Sequence, residues 1–238
     1  MPQTHIMKAY DEELSELKQL IAEMGGRVEV LLADAIRSLI TYDAELASSV
    51  IAADKMVDAL EERVNQQVTR MLALRQPMAA DLRDIIAALK ISSDLERMGD
   101  YAKNISKRTK TLSREPLLSS AGKSVERLGK MVEDMIRSVL DAYLQKDSAK
   151  AVAMIEMDEE VDQLHTSMFR EILTYMMEDP RNITACTHFL FITKNIERIG
   201  DHATNIAEQI YYAAEGHHID ESRTKADKSS SITADTAE

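Results

Sequence analysis

The chain has 238 residues, 45% of them hydrophobic, which is enough to bury a sizeable core and excludes disorder throughout. A formal charge of −12 argues against nucleic acid or an anionic membrane as the main partner, since both select clustered Lys and Arg; it suits cations or basic protein surfaces. The single cysteine, Cys186, leaves no intrachain disulfide to form.

Met1 to Tyr10 lacks the apolar core of a signal peptide, and no run approaches about 18 apolar residues. The expected setting is therefore the cytoplasm, with any membrane contact made through a partner. Aromatics at 4%, no Trp and 14 Met fit helix packing better than a β-sandwich.

Apolar residues recur at steps of three and four along the chain. Val28, Leu31, Leu32, Ala35 and Leu39 form a first stripe, and Val57, Leu60, Val64, Val68 and Met71 a second. Ile91, Leu95, Met98, Ala102 and Ile105 form the third. The second half repeats the pattern: Val132, Met135, Ile136 and Val139, then Val161, Leu164, Met168 and Ile172, then Ile192, Ile196, Ile199, Ala203 and Ile206. Asp43, Asp147 and Asp179 stand where helices begin, the last followed by Pro180 at a first helical position. Six long amphipathic helices of roughly 30 residues each and no strand are predicted.

The two halves are an internal duplication. Asp54-Lys55-Met56-Val57-Asp58-Ala59-Leu60 matches Asp158-Glu159-Glu160-Val161-Asp162-Gln163-Leu164 at an offset of 104 residues. Glu96-Arg97-Met98-Gly99-Asp100 returns as Glu197-Arg198-Ile199-Gly200-Asp201 at an offset of 101. The first helix allows two alignments. Met24-Gly25 matches Leu128-Gly129, but Asp34-Ala35-Ile36-Arg37-Ser38 also matches Asp134-Met135-Ile136-Arg137-Ser138, one turn out of register. The expected fold is all-α, a tandem repeat of two three-helix bundles built from six antiparallel helices. The first repeat is set at residues 10–113 and the second at 118–214, with a disordered tail over 215–238.

Residues four apart on a helix stand one above the other, so Glu96 and Asp100 share a face, with Asn104 one turn on. On a helical wheel they fall opposite the apolar stripe and are expected to face outward. Asp54, Asp58, Glu61 and Asn65 share one side of the second helix, flanking its stripe. If the second and third helices are antiparallel neighbours, Asp54, Asp58, Glu96 and Asp100 converge, and Asp158, Asp162, Glu197 and Asp201 do the same in the second half.

Such acids are commonly just solvated surface. Against that, like charges at this spacing oppose helix formation unless a cation lies between them, and the arrangement occurs four times. A mid-helix glycine, Gly99 or Gly200, also stands beside the acids in both halves at about 1 kcal/mol against Ala; it admits either a close helix or a ligand. All-oxygen donors favour magnesium, calcium, manganese or iron, and zinc less. Arg97 and Arg198 are placed to pair with neighbouring acids or to dock a partner.

No nucleophile elbow, phosphate-cradling glycine loop or zinc-protease motif is present, so no catalytic or organic cofactor-binding residue is assigned. His165, His188 and His202 are scattered, and Cys186 reads as a small buried hydrophobe.

The duplicated unit, the two Glu-Arg-x-Gly-Asp copies, Arg75-Gln76-Pro77 and Leu173-Thr174-Tyr175-Met176-Met177-Glu178-Asp179 resemble the PhoU family over roughly Tyr10 to Ala213. The resemblance implies paired three-helix bundles carrying surface metal motifs, here Asp54/Asp58, Glu96/Asp100, Asp158/Asp162 and Glu197/Asp201, with iron, zinc, magnesium or manganese as the ion. Arg97, Arg198, Asn104 and Asn205 become candidate supporting or partner-binding residues.

The resemblance also implies a homodimeric, non-enzymatic negative regulator of the phosphate-starvation response. Such a protein sits between the ATPase subunit of the phosphate ABC transporter and a sensor histidine kinase. Two other readings remain open on the residues: a carboxylate-cluster metalloprotein with an enzymatic or storage role, and a metal-free helical scaffold.

Overall fold

Each apolar stripe becomes the buried side of a helix. The computed structural model describes residues 2–112, 119–219 and 227. Among them are six α-helices and no strand: α1 (Pro2–Thr41), α2 (Ala44–Arg75), α3 (Ala79–Leu112), α4 (Ser119–Gln145), α5 (Ser148–Glu178) and α6 (Ile183–Glu215). They run from 27 residues in α4 to 40 in α1. At 1.5 Å per residue the 34 residues of α3 span about 51 Å. Ile91, Leu95, Met98 and Ile105 of α3 are fully buried, each contributing roughly 1.5–3 kcal/mol relative to exposure.

The first turn of each repeat is the same in both halves. Tyr42 and Lys146, equivalent residues, both adopt left-handed backbone (φ 57° and 54°) and reverse the chain. The next residue then caps the following helix: Asp43 accepts from the N–H groups of Glu45 and Leu46, and Asp147 from that of Lys150. Asp179 accepts from the Arg181 N–H, and Pro180 opens a short 3-10 turn, Pro180–Asn182, that leads into α6. The expected tail falls mostly outside the described residues; Glu215 is still helical, Gly216 caps α6 in the left-handed conformation, and Asp227 packs back on the second half.

Within each half the three helices pack on one another, and the halves meet through α3 against α6 and α1 against α4. These four form the centre of the molecule, with α2 and α5 on opposite flanks, and one continuous hydrophobic core runs through both repeats. The α1–α4 crossing settles the register of the first helix. A Cβ on Gly25 would meet Leu140 Cδ2 at 2.2 Å, and one on Gly129 would meet Ile36 Cδ1 at 2.0 Å. Those contacts are reciprocal at an offset of 104, so the Gly25–Gly129 alignment is the structural one. At the α3–α6 crossing the equivalent residues Tyr101 and His202 face each other, ring centroids 5.6 Å apart. The pseudo-twofold axis therefore passes beside both acidic motifs.

Candidate functional site

In the first half α2 and α3 lie side by side because Gly99 permits it: a Cβ there would stand 3.1 Å from Asp54 Oδ1 and 3.4 Å from Val57 Cγ1. The glycine thus serves helix packing and brings a carboxylate against the α3 backbone at the same time. Asp54 is 1% exposed, which corrects the expectation that the acids face outward. The wheel placed it on the edge of the α2 stripe, and the approach of α3 closes over that edge. Lys103 Nζ donates to Asp54 Oδ2 at 2.6 Å and to Asp100 Oδ1 at 2.9 Å, bridging the two helices.

Burial pushes the Asp54 carboxyl up, and the bond from Lys103 opposes this. Burial likewise raises Glu96, helped by the charges of Asp100, Glu61 and Asp58, and raises Glu61, helped by Asp58. Hydrogen bonds to Asp54 and Asp100 hold the Lys103 ammonium well above its ordinary range. The first-half acids therefore do share one electrostatic field, in which Lys103 answers Asp54 and Asp100 and Arg97 acts on Glu96 and Glu61.

The second half uses equivalent backbone positions with different partners. Asp158, Asp162 and Glu197 are all buried, again contrary to the outward expectation, while Asp201 is half-buried. A Cβ on Gly200 would stand 3.6 Å from Asp158 Oδ1, ordinary contact. The lysine comes from the other side of the motif: Lys194 Nζ donates to Glu197 Oε1 at 2.8 Å and to Asp227 Oδ2 at 2.8 Å.

Burial pushes the Glu197 carboxyl up to about 7, with Lys194 pulling it down and Asp201 adding to the rise. Burial pulls Lys194 down, but its bonds to Asp227 and Glu197 more than offset that and its net shift is upward. His165 stands where the first half has Glu61 and is 1% exposed. Burial holds it below the ordinary histidine value, against the pull of Asp227.

The supporting residues divide. Arg97 Nε lies 3.8 Å from Glu96 Oε2, a neighbouring acid as expected. Arg198 instead donates to the Tyr101 hydroxyl across the axis at 3.3 Å. Asn205 donates to Asp94 Oδ1 at 3.4 Å, and His202 Nδ1 lies 2.8 Å from the same oxygen, so both stitch α6 to α3. Asn104 is half-buried on α3. Lys103, Lys194, His165, Asp94 and Asp227 are absent from the sequence-based site. The lysines are three residues from a motif acid, a pairing distance on a helix, and aligning the repeats puts His165 opposite Glu61.

Chemically, the clusters offer hard oxygen donors, joined in the second half by an imidazole. Asp54 Oδ1 and Glu197 Oε2 are buried without a hydrogen-bond partner among the described residues, and a cation would satisfy both. The donor types thus suit a divalent ion. Yet no three His, Cys, Asp or Glu side chains stand together as a ready ligand group among the described residues. In the first half Lys103 fills the space between Asp54 and Asp100. The apolar cavity of about 320 Å³ lined by Leu14, Leu17, Ile91, Tyr143 and Ile210 includes no motif acid. No helix of the described residues is long and apolar enough to cross a membrane.

Comparison with known proteins agrees with the duplicated helical fold. The PhoU domain model matches twice, at residues 21–109 and 125–210. A phosphate-specific transport system accessory protein PhoU homolog of Caulobacter vibrioides is 48% identical over 223 residues, covering 94% of this chain and 97% of its own. The homolog of Rhizobium meliloti is 47% identical over 98% of each chain. The crystal structure of PhoU from Pseudomonas aeruginosa superposes with a TM-score of 0.85 at 36% identity, covering 87% of this chain and all of its own. That of the phosphate transport system regulatory protein PhoU from Streptococcus pneumoniae gives 0.82 at 30%, covering 89% and 99%. With both repeats matched and relatives aligned along nearly the whole length, the chain belongs to the PhoU family.

Proposed function

We propose that this protein is a cytoplasmic, non-enzymatic adaptor that represses phosphate uptake and the phosphate-starvation response, working between the ATPase subunit of a phosphate ABC transporter and a sensor histidine kinase. The observation that carries the reading is end-to-end similarity to accessory proteins of phosphate-specific transport, with the duplicated motif intact in both halves. The two acidic motifs stand on α3 and α6, helices that pack directly on each other in one continuous core, so one molecule presents two equivalent acidic faces. In this reading a divalent cation enters each cluster, held by Asp54, Asp58, Glu96 and Asp100 or by Asp158, Asp162, Glu197 and Asp201, and supplies charge neutralisation that shapes the docking surface. The unsatisfied Asp54 Oδ1 and Glu197 Oε2 support it.

Deleting the gene is expected to raise expression of phosphate-regulated genes in phosphate-replete medium. Unchanged expression would defeat the regulatory reading. Elemental analysis of the wild type beside the variant with all eight acids replaced by their amides decides the cation part separately: equal metal content in the two defeats it.

A further inference from the structure

The two ends of the molecule are equivalent by duplication but not in packing. Where α1, α3, α4 and α6 meet near the start of α3 they leave the cavity of about 320 Å³. Its floor belongs to the core: Leu17, Ala87, Ile91 and Ile210 line it, and none is more than 3% exposed. Its rim is polar, with Lys18 and Asp84 half-buried and Lys146 exposed. Lys146 pairs with Asp84, whereas no acid pairs with Lys18 among the described residues. Arg83, which donates to the Ala213 carbonyl at 3.4 Å, adds a further cation at this end. Tyr143 forms part of the wall, and burial together with the Asp84 charge holds its phenol well above the ordinary value, so it stays a hydrogen-bond donor.

The sister repeat supplies a control. Tyr143 and Lys146 correspond to Leu39 and Tyr42, and Ala213, which also lines the cavity, corresponds to Leu112, 2% exposed. Interiors pack densely, so a space that one repeat closes with a buried leucine is one the other holds open with an alanine. No ammonium stands at the other end in the place of Lys146.

The lining selects the occupant. A buried apolar floor takes hydrocarbon, and a rim whose ammoniums outnumber its carboxylate takes an anion. At about 30 Å³ for each group the size of a water molecule or a methylene, the space holds roughly ten such groups. We propose that this cavity binds a medium-chain aliphatic carboxylate of octanoate size, with the chain inward and the carboxylate at Lys18 and Lys146. The occupant touches both repeats and so pins α1 and α3 to α4 and α6. The site is separate from the acidic motifs and does not depend on a cation there.

The test is calorimetric titration of the full chain with sodium octanoate, with octylamine as the probe of opposite charge. The wild type is expected to bind octanoate saturably at a single site, more tightly than octylamine by roughly tenfold, and to melt at a higher temperature when loaded. Ala213→Leu, which copies the sister repeat, is expected to abolish binding with the helical fold intact. Should that variant fail to fold, Ala214→Leu on the exposed rim serves instead, and is expected to weaken binding by obstructing the entrance. Lys18→Gln removes one charge-assisted contact and is expected to weaken octanoate by roughly tenfold while leaving octylamine no weaker. No saturable octanoate binding by the wild type overturns the proposal. Binding untouched by the leucine substitutions overturns the cavity as its place, and octylamine equal to octanoate, or Lys18→Gln without effect, overturns the carboxylate assignment.

Discussion

The two repeats carry the same acids at the same helical positions, and they neutralise them in opposite ways. In the first half the lysine follows the motif: Lys103 ties Asp54 of α2 to Asp100 of α3. In the second it precedes the motif, and Lys194 ties Glu197 of α6 to Asp227 from beyond the fold. A duplicated backbone therefore preserves where carboxylates are presented without preserving which charge answers them. The lesson is that pseudo-symmetry in a helical repeat constrains packing far more than electrostatics, because a helix face tolerates a charge moved along it by almost three turns, from the place of Ser93 to Lys103, whereas a core does not tolerate a moved side chain.

The comparison breaks most sharply at the lysines. Lys103→Ala leaves Asp54 buried with no counter-charge, and a loss of about 3–5 kcal/mol in denaturant unfolding at neutral pH is expected. Lys194→Ala is expected to cost less, roughly 1–2 kcal/mol, because the Glu197 carboxyl already titrates at about 7 and can take up a proton instead. Equal losses would mean that the halves answer a stranded acid in the same way.

The second expectation is a pH dependence of the cation-free protein. The folded pKa of Glu197 lies above its unfolded value, so folding binds a proton between about 4.5 and about 7. Stability from this group is complete below the lower value and is lost as pH rises through the upper one, a change on the order of 3 kcal/mol at most. Glu197→Gln is expected to flatten that slope in unfolding measured at pH 5 and pH 8; an unaltered slope would assign it elsewhere.

The α2–α3 turn has a clamp that the α5–α6 turn lacks. Arg75 donates from two nitrogens to Glu13, at 2.9 Å each, whereas Glu178 stands at the position equivalent to Arg75. The bond from Arg75 holds the Glu13 carboxyl below its ordinary value. Its contribution is therefore present above the unfolded pKa and lost as pH falls through the folded one. Glu13→Gln is expected to lower Tm by roughly 2–4 °C at neutral pH, with the difference from wild type vanishing in acid.

The smallest effect concerns the motif glycines. Gly200→Ala places its methyl in ordinary contact and gains helix propensity, so about 1 kcal/mol of stabilisation is expected. Gly99→Ala pushes on Asp54 Oδ1 at 3.1 Å and is expected to cancel that gain. Stabilisation by both substitutions would show the α2–α3 approach to be looser than its spacing implies.

How much of this was visible beforehand follows from the kind of signal involved. The six helices were legible because their apolar residues recur at the helical period, and the caps at Asp43, Asp147 and Asp179 because short oxygen side chains have a fixed use there. The motif acids were legible as a repeated pattern. Their burial was not, since a wheel drawn for one helix says nothing of what the next helix covers: Asp54 and Glu197 lie on edges that close when α2 meets α3 and α5 meets α6. The register of α1 against α4 also stayed open until Gly25 and Gly129 were seen to receive Leu140 and Ile36.

Periodicity and duplication alone thus determined that the chain is two copies of a helical triplet bearing equivalent acids, because both are written in the spacing of residues a few places apart. Which ammonium meets which carboxylate, the placing of His165 and Asp227 in one cluster, and the joining of two triplets around a single core were decided by the tertiary structure. Those contacts bring together residues tens of positions apart, and their partners are fixed by helix packing that no local pattern encodes.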